Sequence, residues 1–155
     1  MSQFYETLIQ AFAEFPIPSD ILLGRGQPDS DSVEAIALVG KSWREVDADF
    51  WYDGWSAAFA LNAEGLAYHL PAMLIASLSD AGDLVLTSLV GLFETSGDPA
   101  LFPERLSSLW TKLSHEQIQC LLEWSAELQA RGLFVDDVQR VRVEQTLSVL
   151  AENLG

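Results

Sequence analysis

Only one cysteine, two histidines and eight basic residues occur among the 155 positions of this chain. Each scarcity closes off a class of chemistry. The lone Cys120 has no partner for an internal disulfide. Flanked by Gln119, Leu121 and Leu122, it reads as a small buried hydrophobe inside a helix. His115 falls off the same helical face, which leaves the thiol without an activating base. His69 and His115 stand far apart, with no second cysteine and no third histidine to complete a zinc site. Gly24-Arg25-Gly26 makes no phosphate loop, because no third glycine follows at the required spacing and no strand precedes it. No Gly-x-Ser-x-Gly elbow is present. Asp47, Asp49 and Asp53 begin like a calcium loop. Trp51, Tyr52 and Ala58 then stand where that loop needs an oxygen ligand, a glycine and a glutamate. The sequence therefore names no catalytic residue, no metal and no cofactor, and the expectation is a protein that is not an enzyme.

Long apolar runs are missing too. The longest nearly uncharged stretch, Gly65 to Ser79, carries His69 and Pro71 and is too short to span a bilayer. Met1 to Glu6 lacks the positive charge that opens a signal peptide. The expectation is a soluble, cytoplasmic protein.

Acid is what the chain has in excess. Its 23 Asp and Glu against 8 Lys and Arg leave a formal charge of -15. Such a surface repels nucleic-acid phosphates, which are bound through Lys and Arg, and it repels anionic lipid. It favours encounter with a basic protein. A hydrophobic content of 49% and a mean hydropathy of +0.16 argue against disorder. The length suits one domain, residues 1–155, able to bury a core without disulfide or metal.

Helical spacing dominates the pattern. Ser2 can cap a first helix with Tyr5, Leu8, Ile9 and Phe12 on one face, widened by Phe4 and Phe15 and stopped by Pro16-Ile17-Pro18. Ser19 to Ser32 reads as loop. Asp31 to Glu34 forms a capping box for a short helix ending at Gly40, and Ser42 begins another short helix or turn. Asn62 caps a helix burying Leu66, Leu70, Met73 and Leu74. Within it Pro71 either kinks the helix or starts a second one. Leu84 to Phe93 and Phe102 to Trp110 follow as helical segments. Ser114 to Gln117 is a capping box opening a helix that Gly132 ends, with Ile118, Leu121, Leu122 and Leu128 inside. A last helix from Asp136 to Asn153 is expected to turn Val138, Val141, Gln145, Leu147 and Leu150 inward. No two-residue hairpin turn appears. The predicted class is all-α, a single compact domain of about six to eight short helices.

Five large aromatics, Trp43, Phe50, Trp51, Tyr52 and Trp55, crowd one short segment with Glu45, Asp47, Asp49 and Asp53. One helix face cannot bury them all. Two readings stand: a corner of the core, or an aromatic surface rimmed by acid for a basic partner. On the second, Asp47, Asp49, Trp51, Tyr52 and Asp53 are the partner-binding residues.

Gly40-Lys41-Ser42-Trp43 with Glu45 behind it, Leu66-Ala67-Tyr68-His69-Leu70-Pro71-Ala72, and Leu113-Ser114 followed by Gln117 and Cys120 to Trp124 together resemble a small uncharacterised bacterial family of this length. In that family an aromatic pair tends to precede Leu-Pro-Ala, and here His69 replaces the second aromatic. The resemblance implies no reaction. By analogy with similar small acidic proteins, it points to an immunity-type inhibitor that covers the basic active site of a toxin or effector. A non-enzymatic regulatory or interaction module and a carboxylate-using enzyme are the alternatives.

Overall fold

The computed structural model describes residues 3–13, 16–22, 35–80, 82–95 and 97–152. Among these residues it is all-α, as expected. Seven α-helices appear in chain order: α1 (Gln3–Ala11), α2 (Ala48–Gly54), α3 (Ala63–Ser77), α4 (Asp83–Phe93), α5 (Glu104–Trp110), α6 (His115–Ala130) and α7 (Asp137–Glu152). Short 3₁₀ turns occur at Trp43–Glu45, Trp55–Ala60 and Pro99–Leu101. The β-type pairing among the described residues is an isolated antiparallel bridge between Leu22 and Leu61. Two compact units make up the chain. One is Glu14–Leu89, and the other joins Met1–Ala13 to Val90–Gly155.

The unit Glu14–Leu89 is built on α3. This helix is apolar on every side, and every residue from Gly65 to Leu74 is buried. A helix without a polar face must lie inside its unit. Tyr68, Leu70 and Met73 are at most 1% exposed, as the sequence pattern requires. The helix runs through Pro71 without ending there, so the proline costs it one internal hydrogen bond and no more of its length. Asn62 caps it, the side-chain oxygen accepting from the Gly65 N–H at 2.8 Å. The same amide donates to the Asp20 carbonyl at 2.9 Å, and the Asn62 backbone N–H donates to Ile21 at 2.8 Å. One residue thus starts α3 and ties the segment at Asp20 and Ile21 across its first turn.

Gly65 is what lets that segment come so close. A Cβ there would stand 2.6 Å from Ile21 Cβ and 2.7 Å from the Ile21 carbonyl oxygen. Gly65→Ala should therefore lower stability by about 1–3 kcal/mol through overpacking, although alanine is the better helix former. Gly91, in α4, has open space around the same position, and Gly91→Ala should raise stability by up to about 1 kcal/mol. Urea midpoints of the two variants check this. A rise in both would mean that Ile21 does not press on α3.

In the other unit α6 packs against α1 and α7. Ile118, Leu121, Trp124 and Leu128 of α6 are fully buried, as are Leu8 of α1 and Val143, Leu147 and Leu150 of α7. The Trp124 ring meets Phe93 edge-on at 6.0 Å. The capping box at Ser114 forms as predicted. Gln117 closes it by accepting the Ser114 N–H at 2.9 Å, and its amide nitrogen donates to the Ala11 carbonyl at 3.2 Å. One side chain thereby satisfies the start of α6 and the end of α1. Gly132, at φ +67°, ends α6 in the left-handed conformation that glycine tolerates.

Two expectations shift by a helical rotation. Along α1 and the turn after it the buried row is Phe4, Leu8 and Phe12, while Ile9 is 41% exposed. In α7 the inward row is Val143, Thr146, Leu147 and Leu150, so Val138, Val141 and Gln145 face outward instead. Ser2, Phe15, Gly24-Arg25-Gly26 and the capping box at Asp31 to Glu34 lie outside the described residues.

Candidate partner-binding surface

The segment from Trp43 to Leu61 divides its aromatics between two sides. Ser42 caps the 3₁₀ turn Trp43–Glu45. Trp43 is buried, and its N–H donates to the Tyr68 hydroxyl at 3.3 Å. The Arg44 guanidinium lies over the Trp43 ring at 5.1 Å. Asp47 then caps α2, its carboxylate accepting the Phe50 N–H at 3.0 Å.

From α2 onward the period decides which side each residue takes. Trp51 and Gly54 of α2, then Ala57, Ala58 and Leu61, are buried, and α2 packs on α3. Asp49, Tyr52 and Asp53 fall on the opposite side of α2 at the three- and four-residue spacing of one face. The 3₁₀ turn continues that ridge at every third residue, through Ser56 to Phe59. Tyr52 is 57% exposed and Phe59 47%. Half-buried Trp55 meets Phe59 edge-on at 6.0 Å.

Of the five residues expected to meet a partner, Asp49, Tyr52 and Asp53 share this outward ridge. Asp47 is exposed beside it, but its carboxylate already holds the start of α2. Trp51 does not belong to the surface. It is 0% exposed, its ring meets Phe50 edge-on at 5.0 Å, and its Nε1 has no hydrogen-bond partner. Burial therefore divides the aromatic segment into two sets of rings. Trp43 and Trp51 form core, and Tyr52 and Phe59 are presented to solvent. Phe59 joins the ridge without being among the five residues expected there. The signal was there in its three-residue step from Ser56, but a 3₁₀ continuation leaves no mark that a sequence pattern distinguishes from α-helix.

Cys120 and His69 are both buried. Burial, with the nearby Glu123 charge, pushes the Cys120 thiol up to about 12, which keeps it protonated. His69 is 1% exposed with Nδ1 unpartnered, and burial lowers it from the ordinary 6.5 to about 4. Among the described residues no three His, Cys, Asp or Glu side chains converge as metal ligands. An open groove of about 320 Å³ runs along α1 and α6, lined by Thr7, Gln10, Ala11, His115, Glu116 and Gln119. Among the described residues no helix is long and apolar enough to cross a membrane.

No protein-family model, curated protein or solved structure matches the chain.

Proposed function

We propose that this chain is an acidic binding protein whose ridge Asp49, Tyr52, Asp53 and Phe59 takes a basic protein partner. In the sharpest form of the proposal it is a cytoplasmic immunity-type inhibitor covering the positive active site of a cognate bacterial toxin. The observation that carries the reading is the pairing of two exposed aromatic rings with two exposed carboxylates on one side of α2 and the turn that follows it. Carboxylates at a rim steer a basic partner and pair with its Lys and Arg. Aromatic rings add the buried area from which binding hot spots are built. The formal charge of -15 extends the steering field beyond the ridge itself.

The nearest discriminator is genomic. A large toxin or effector gene directly beside this one favours immunity, and a metabolic operon favours a general interaction module. The biochemical test is co-purification of the neighbouring gene product, then binding kinetics at several salt concentrations. Asp49→Lys with Asp53→Lys should slow association about tenfold or more at low salt, with a smaller effect at high salt. Tyr52→Ala should act mainly through faster dissociation. Asp47 is the wrong position for charge reversal, because losing its cap costs α2 about 1 kcal/mol by itself. A partner whose affinity ignores both salt and these aspartates would show that the acidity serves solvation, not recognition.

A further inference from the structure

The start of α7 and the residues just before it leave apolar side chains exposed. Val135 is 82% exposed, Val138 59%, Val141 39% and Leu133 37%. Val138 and Val141 lie on α7 outside its buried row, and Leu133 and Val135 precede the helix. Exposed apolar residues gathered at one place mark an interaction surface more often than scattered ones do.

The charge of this segment differs from that of the rest of the chain. From Arg131 to Glu144 three arginines (131, 140, 142) offset three acids (136, 137, 144), so the whole of the -15 lies elsewhere. Locally this segment offers a basic partner no net charge. Two copies of a strongly acidic chain, by contrast, can approach each other only where their like charges are locally cancelled.

We propose that a second copy of this chain docks on this face, with α7 antiparallel to α7 across a two-fold axis. In an isologous contact residue i meets j and j meets i. An axis passing midway between Gln139 and Arg140 sets Val138 against Val141 of the second copy, and Asp137 against its Arg142. The pattern Asp137-Val138-Gln139-Arg140-Val141-Arg142 is self-complementary in that register. Asp137 and Arg142 are available for it. Their side chains are 94% and 58% exposed, and their ion pairs within the chain, to Arg140 at 3.6 Å and Glu94 at 3.9 Å, are long.

Sedimentation equilibrium of the full chain, at low and high salt and over a range of concentrations, tests this. The wild type should move from a 17.1 kDa monomer toward twice that mass. Added salt should strengthen the dimer, since it screens repulsion between two acidic bodies. Val138→Glu puts a carboxylate in the first turn of α7, where helices accept one, and should weaken dimerisation by about tenfold or more. Asp137→Arg should do the same by setting arginine against arginine. The double variant Asp137→Arg with Arg142→Asp should restore the dimer, while circular dichroism stays unchanged throughout. A wild type that is monomeric at all concentrations up to roughly millimolar would overturn the proposal. So would a dimer indifferent to Val138→Glu, or a charge swap that fails to restore association.

Discussion

Trp51→Ala is expected to cost the fold about 3–5 kcal/mol, the usual range for removing a buried Phe or Trp. That is a large share of the roughly 5–15 kcal/mol by which domains are stable. The indole is completely buried on the inward row of α2. Its Nε1 has no hydrogen-bond partner, so the loss comes from apolar contact and from the cavity left behind. Tyr52, the next residue, points the other way, and Tyr52→Ala should stay within about 0.5 kcal/mol of wild type. Denaturant midpoints of the two variants test the division between core and surface rings directly. Equal midpoints would place Trp51 outside the core. The contrast also governs how binding data are read, since a weakened complex with Trp51→Ala would report a damaged fold.

Stability should also fall steeply in mild acid because of His69. Its imidazole is buried with Nδ1 unpartnered, and burial lowers it from 6.5 to about 4. The sign follows from which state binds the proton. Between those two values the unfolded chain takes up a proton that the folded chain refuses, so lowering the pH favours unfolding. Stability is complete above 6.5, falls as the pH drops from there, and levels off below about 4, for a total loss of about 3 kcal/mol. His69→Leu removes the titration and keeps an apolar side chain of similar size. Subtracting its stability curve from the wild-type curve should leave a slope confined to this window. A flat difference between pH 4 and 6.5 would mean that His69 carries a partner or reaches water.

Helix starts were plain in the sequence, because capping is a local event. Asn62 and the Ser114–Gln117 box were each legible from residues within one turn, and so was the stop at Gly132. The buried α3 was equally plain, since a helix with no polar side has only one place to be. Choosing a face was harder. In α7 both Val138–Val141 and Val143–Thr146–Leu147–Leu150 have helical spacing, and only packing against α6 decides between them. Trp51 posed the same problem: the flanking aspartates drew it toward the surface, while the apolar residues that enclose it are distant in sequence. Asp47 shows the converse. Its cap on Phe50 follows from local spacing, yet its place among other aspartates made it look like part of a charged patch.

The central claim is that the ridge of Asp49, Tyr52, Asp53 and Phe59 receives basic protein surface. It is tested most directly by following backbone amide signals of the isotope-labelled chain during titration with a short synthetic peptide of alternating lysine and leucine. Shifts should concentrate between Asp47 and Phe59, weaken with salt and vanish in the Asp49→Lys, Asp53→Lys variant. Shifts spread evenly over acidic residues throughout the chain, and unchanged in that variant, would contradict it.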